Sequence, residues 1–254
     1  PLAAYVDLGK GEEPVTIVPI GADAPVFAVG TAAGVVKRVT SEAPKSNDWD
    51  VISLKDGDRV VGAAVADRED LDLVFVTTDA QLLRFPARTV RPQGRSAGGM
   101  AGIKLAPGAR VVFFGVADPT RDGVVVTSSG SSGALPGTEG GSLKVTPYAE
   151  YPSKGRATGG VRCHRFLRGE DTLVLAFAGN NPARAAAANG AAIELPAADG
   201  RRDGSGVATT AVIAHVAGPP ADAQPDASAV SAVSVDADGS GSGSGSGGGD
   251  GGDA

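Results

Sequence analysis

Short apolar runs, each of a few residues and each closed by a polar turn, recur through most of the chain in one fixed order. The order is an apolar strand, a polar turn, a second apolar strand ending in a base, a Gly-rich basic loop, and a third strand entered through a Gly turn. The second copy reads Leu73-Val74-Phe75-Val76, the turn Thr77-Thr78-Asp79-Ala80, then Leu82-Leu83-Arg84-Phe85. Its glycine loop follows, then Ile103-Lys104-Leu105, the turn Pro107-Gly108-Ala109 and the strand Val111-Val112-Phe113-Phe114. The first copy has Val26 to Val29, Val35-Val36-Lys37-Arg38-Val39 and Val60-Val61, with Lys45 to Asp50 where the glycine loop stands in the second. A third copy runs from Val124 through Leu143-Lys144-Val145 to Leu173-Val174-Leu175, and a weaker fourth through Ile193-Glu194-Leu195 to Val207. Such runs bounded by Asp-Gly, Pro-Gly and Asn-Gly are strand and hairpin punctuation. No long segment carries a helical period; the nearest, the Ala-rich Pro182 to Asn189, is too short to hold a helix unaided.

The copies are separated by about 50 residues, a period that indicates blades of a propeller-like array whose units bury their faces against one another. The fold expected is therefore all-β, with about four blades over residues 1–218. Residues 219–254 differ. They hold no Lys, Arg or aromatic residue, carry Asp222, Asp226, Asp236, Asp238, Asp250 and Asp253, and are only Gly and Ser from 239 to 249. A segment with so little apolar surface cannot offset its ordering entropy, and a disordered acidic tail is expected.

Removing that tail changes the charge balance. The chain has 23 bases and 29 acids, and six of the acids lie in the tail, so the body is formally neutral. The charge is unevenly placed. From Arg84 to Lys104 there are five bases and no acid; from Lys144 to Arg168 there are six bases against Glu150. The acids gather at Glu12-Glu13 and between Asp56 and Asp72. No apolar run approaches the roughly 20 residues needed to cross a bilayer, and no secretion signal is legible. The single Cys163 excludes an internal disulfide framework and fits a reducing cytoplasm. A first residue of Pro1 points to a fragment of a longer chain.

The positive stretches coincide with a repeated loop, Gly94-Arg95-Ser96-Ala97-Gly98-Gly99-Met100 and Gly155-Arg156-Ala157-Thr158-Gly159-Gly160-Val161. Glycine permits close backbone approach and positive φ, and arginine gives bidentate contacts to phosphate oxygens, so a curved array of such loops suits a polyanion held along a bent path. Duplex DNA, gripped by its backbone without base reading, fits that geometry. The candidate phosphate contacts are Lys37, Arg38, Arg84, Arg88, Arg91, Arg95, Lys104, Lys144, Lys154, Arg156, Arg162, Arg165, Arg201 and Arg202. His164, between Arg162 and Arg165, is a further candidate. Tyr148 and Tyr151 read as packing or rim residues, and Cys163 as a small buried residue. No catalytic residue, metal-ligand spacing or Walker-type loop is present, so no cofactor is expected in this region. The rival class is a propeller serving as a protein-interaction module, which the 4% aromatic content does not favour.

The runs Gln81-Leu82-Leu83-Arg84-Phe85 and Gln93-Gly94-Arg95 to Lys104-Leu105, with the second loop at Gly155, resemble the blade motif in the C-terminal domain of the A subunit of bacterial type IIA topoisomerases. Within that family the likeness is greatest to the actinobacterial topoisomerase IV type. The resemblance implies a β-pinwheel that binds and bends duplex DNA on its outer rim. It also implies a homodimeric A subunit working with an ATP-hydrolysing B subunit, with ATP and Mg2+ used by other regions, and a cytoplasmic, nucleoid-associated enzyme. Gyrase A subunits of this family carry a Gln-x-Arg-Gly-Gly-Lys-Gly box. Here Gln93 to Gly99 keeps the Gln, the Arg and glycines but lacks the Lys, so relaxation or decatenation is expected rather than supercoiling.

Overall fold

A computed structural model describes residues 4–223, apart from 7, 11, 22, 41–48, 95, 136–139 and 222. In chain order the strands are β1 (Phe27–Thr31), β2 (Val35–Val39), β3 (Val60–Val65), β4 (Asp72–Thr77), β5 (Gln81–Pro86), β6 (Pro92–Gln93), β7 (Met100–Ala101) and β8 (Val111–Ala117). They continue as β9 (Gly123–Gly130), β10 (Ser142–Pro147), β11 (Val161–Arg162), β12 (Thr172–Asn180), β13 (Arg184–Ala186), β14 (Ala192–Ile193), β15 (Val207–Ala208) and β16 (His215–Ala217). No α-helix occurs among the described residues, and single 3-10 turns stand at Ala87–Thr89 and Tyr148–Glu150. The Ala-rich run forms strand β13, because pairing on both sides supplies what its length denies to a helix.

Four sheets form, one per repeat, in the order β3-β1-β2, β8-β4-β5, β12-β9-β10 and β16-β13-β14. This is the expected all-β pinwheel of four blades, and among the described residues no pairing joins the first sheet to the fourth. The central strands of the first three sheets are buried on both faces, so they read as nearly unbroken apolar runs. In β4, Leu73 and Phe75 pack into the cluster shared with the first sheet (Ala28, Val36), while Val74 and Val76 pack into the cluster shared with the third (Val125, Leu173). The two sets alternate because successive side chains leave a strand on opposite faces. Val124 and Val126 in turn join Ala185 and Ile213 of the fourth repeat.

What joins the blades is an exchange of strands. After its hairpin, each repeat sends the chain across to the outer edge of the preceding sheet. β6 and β7 of the second repeat lie on β2, β11 of the third lies on β5, and β15 of the fourth lies on β10. A glycine stands immediately before β7, β11 and β15. A Cβ on Gly99, Gly160 or Gly206 would lie 2.8, 2.4 or 2.7 Å from the carbonyl oxygen of Val36, Leu82 or Leu143. Gly99 and Gly160 also hold φ of +81° and +76°, where a side chain is strained. The glycines that the sequence offers to a ligand are thus required by the neighbouring backbone.

This exchange explains both ends of the array. Among the described residues no sheet precedes that of the first repeat, and the crossing glycines are missing from the sequence of its loop. Among the described residues the fourth sheet receives no returning strand: Ala192 is exposed, whereas its counterparts Val36, Leu82 and Leu143 are buried under the incoming strand. A two-residue β14 followed by Glu194 and Pro196 blunts that edge, as terminal repeats do. The packed body also runs past the boundary expected at 218. Ala221 lies in the apolar cluster with Ala28 and Val116, and Arg121 donates to the carbonyl of Ala223 at 2.6 Å. The rest of the expected tail, 224–254, lies outside the described residues.

The geometry separates two glycine substitutions. Gly160→Ala is expected to cost roughly 2–4 kcal/mol, combining positive φ with a backbone collision. Gly108→Ala, where φ is +80° but nothing lies within 4 Å of the new Cβ, should cost only about 1 kcal/mol. Urea unfolding of the two variants checks this, and equal losses would contradict the crossing role.

Candidate nucleic-acid interface

The second strands carry the most regular cations, and the structure places these inside. Lys37 and Lys144 occupy equivalent positions and are 0% and 3% exposed. Lys37 Nζ donates to the carbonyls of Val51 at 2.7 Å and Ala97 at 2.9 Å; Lys144 Nζ donates to those of Cys163 at 3.0 Å and Arg202 at 2.6 Å. Burial lowers the pKa of both from the usual lysine value. One residue further, on the opposite face, Arg38 donates to the carbonyls of Ala66, Ala87 and Val90 and pairs with Glu69 at 3.0 Å. Arg84, equivalent to Arg38, pairs with Asp72 at 3.0 Å and lies 4.6 Å over the Tyr148 ring. Desolvation raises the pKa of Asp72, against the pull of Arg84 and of the Tyr148 hydroxyl that donates to it. The expectation that Lys37, Arg38, Arg84 and Lys144 meet phosphate is corrected: a sheet covered on both faces turns the bases of its second strand inward, where they fasten one repeat to the next.

The remaining candidates share a different setting. Arg88, Arg91, Lys104, Lys154, Arg162, Arg165 and Arg201 are exposed, and Arg156 and Arg202 are half-buried. Arg95 lies outside the described residues. The crossing segments that carry most of them are joined to each other by hydrogen bonds. Ala157 N–H donates to Gly102 O and Lys104 N–H to Thr158 O, so the loop at 155–160 rests on the return strand of the repeat before it. Arg165 N–H donates to Gly204 O, which repeats the contact one blade further on. Residues 100–104, 155–165 and 200–208 therefore form one shingled ribbon along the outer edges of successive sheets. On it, the guanidinium groups of Arg162 and Arg165 and the ammonium of Lys104 make no hydrogen bond or ion pair with another described residue. Arg168 extends the series and is exposed. The charge run from Arg162 contains it, yet the loop motif does not. Three bases have partners within the chain: Lys154 Nζ donates to Gly160 O at 3.4 Å, Arg156 donates to Ala101 O, and Arg201 pairs with Asp199 at 3.2 Å on an open surface, where such a pair contributes little.

Between Arg162 and Arg165, Cys163 and His164 face inward. His164 is 1% exposed, so it does not reach a phosphate. Its Nδ1 lies 2.8 Å from Thr127 Oγ1 and its Nε2 3.0 Å from Ser142 Oγ, which also donates to Glu170 Oε2 at 2.9 Å. Seryl, imidazole and carboxylate groups thus meet, but in a buried structural network in which Ser142 is 0% exposed. Burial, aided by the Lys144 charge, pushes the imidazole down to about 4, and burial pushes the Cys163 thiol up to about 12. Tyr148 and Tyr151 are likewise buried, as packing residues of the cluster between the second and third sheets.

Comparison with known proteins agrees with this architecture. A family model described as DNA gyrase C-terminal domain, beta-propeller, matches residues 51–67, 71–118 and 137–178. The DNA gyrase A protein of Klebsiella oxytoca is 35% identical over 136 residues, which cover 52% of this chain and 14% of that protein. Against the gyrase A proteins of Klebsiella oxytoca, Haemophilus influenzae and Kosmotoga olearia, the chain spans only 14%, 21% and 21% of their length. The crystal structure of the C-terminal domain of DNA topoisomerase IV superposes with a TM-score of 0.69 at 20% identity, covering 87% of this chain and 70% of that one. The structure of the DNA gyrase A C-terminal domain gives 0.65 at 18%, covering 85% and 73%. At these identities the two structures bear on the fold alone.

The His164 site generates a pH dependence. Its folded pKa lies below the ordinary 6.5, so the unfolded chain binds the proton first as pH falls. Stability is full above pH 6.5 and declines toward pH 4, by roughly 2–3 kcal/mol from this group. Urea unfolding at pH 7 and pH 4 should show a smaller loss for His164→Gln than for the wild type; equal losses would remove His164 from the acid response.

Proposed function

Because the chain belongs to the family of the gyrase A C-terminal domain, we propose that it binds duplex DNA by the phosphate backbone and bends it along the outer rim. The observation that carries this reading is the shingled ribbon: consecutive crossing loops, hydrogen-bonded into one path, present exposed bases while the cations of the second strands, Lys37, Arg38 and Lys144, are buried. Contacts of this kind neutralise phosphates and release counterions, and they carry no sequence information. Lys104, Lys154, Arg162, Arg165, Arg168 and Arg202 are the contacts favoured, with Arg88, Arg91, Arg95, Arg156 and Arg201 as further contributors. A gyrase-type supercoiling role is disfavoured by the missing Lys in the Gln93 to Gly99 run, and relaxation or decatenation by the parent enzyme is favoured. In that enzyme the region presents DNA to a strand-passage core, which two copies of the parent chain build together with an ATP-hydrolysing partner in the cytoplasm. ATP and Mg2+ act there through other regions.

One observation favours the rival, a protein-interaction module. Leu167 and Val174, 38% and 55% exposed, line a cleft between the third and fourth repeats. A partner held there binds with little salt dependence, whereas DNA binding follows a logarithmic slope of about −0.9 for each phosphate neutralised.

The double variant Arg162→Ala, Arg165→Ala separates these readings, since neither side chain is tied to the fold. Electrophoretic mobility of a random duplex across a salt series should show weaker binding and a slope shallower by about 2 units. Wild-type affinity and slope in the double variant, with an unchanged melting temperature, would reject the rim as the DNA site.

A further inference from the structure

We propose that the buried Lys144 is a positioning residue for the basic rim, fixing the exposed arginines of the third and fourth repeats without touching the ligand itself. The inference rests on the DNA-binding reading above and names a determinant of it. Lys144 springs from β10, and its ammonium reaches two different rim segments. The Cys163 carbonyl, at 3.0 Å, belongs to the segment that displays Arg162 and Arg165 on either side of the inward pair Cys163-His164. The Arg202 carbonyl, at 2.6 Å, belongs to the crossing loop of the next repeat, which displays Arg201 and Arg202. One cation therefore sets the distance between two groups of bases contributed by different blades. The same two rim segments meet again through the Arg165 N–H to Gly204 O bond, which that ammonium braces from beneath.

The chain supplies its own control. At the equivalent register of β5 stands Leu83, 1% exposed, so an apolar side chain is accommodated at this point of a blade. The loop that crosses there, 155–160, is held instead by backbone bonds to Gly102 and Lys104 and by Arg156 on Ala101 O. Where the clamp is absent, an arginine of the loop is spent on the backbone; where Lys144 provides it, Arg202 keeps its guanidinium clear of the backbone. A buried ammonium satisfied by carbonyls is costly to leave half-made, which favours one loop position over alternatives.

The test uses Lys144→Leu in the full chain, copying the residue that the second blade carries. Lys144 is buried, so the exposed charge of the rim is unchanged. Two measurements are made below the melting temperature: duplex DNA affinity across a salt series, and amide hydrogen exchange at Arg165 and Gly204. The expected result is roughly tenfold weaker binding at low salt, a slope shallower by about 1–2 units, and faster exchange at both amides. A Lys144 that served only stability would lower the melting temperature and leave slope and exchange as in the wild type, and that outcome overturns the proposal. Should the wild-type protein bind duplex DNA without salt dependence, the DNA reading fails by itself. The amide exchange then decides the clamp, with unchanged rates rejecting it.

Discussion

The structure depends on one constraint: each repeat completes the sheet of the repeat before it. A three-stranded blade has an open outer edge and an uncovered second strand, and the returning segment of its neighbour closes both. Backbone pairing across that seam places Val36, Leu82 and Leu143 beneath a foreign strand. It also fixes where glycine must stand, because the crossing chain passes closer to a carbonyl than any Cβ allows. The array is consequently directional: every returning strand among the described residues runs from a later repeat to the one before it.

The same exchange sorts the cations. A base on the second strand is roofed by the incoming segment and by the next blade, so its donors turn to carbonyls; Lys37, Arg38 and Lys144 all do this. A base on the returning segment lies on the outermost layer and remains exposed, as Arg162 and Arg165 do. Two basic positions of one repeat thus have opposite destinies. The inward set holds the rim in place, and the outward set gives it charge. Because the returning segments are bonded to one another, the outward charges follow a single path.

That path is suited to a ligand whose charge repeats along its length. Phosphate contacts need cations that are exposed and arranged in series, and neither requirement depends on the pocket chemistry that a small molecule needs. The family to which the chain belongs fits this physical picture.

The sequence by itself determined the repeat, the strand character of its parts, the approximate number of blades and the family, since alternation, turn residues and the twice-written loop are local and linear. It also marked the first repeat as different through its missing glycine loop. It could not assign the fate of each base. Lys144 and Arg165 look alike along the chain, and only tertiary structure makes one an internal clamp and the other a surface charge. Nor could it tell that the glycines serve the neighbouring blade, because close approach occurs between residues some sixty positions apart, such as Val36 and Gly99. Burial arises from what crosses overhead, and that is a property of the assembled array.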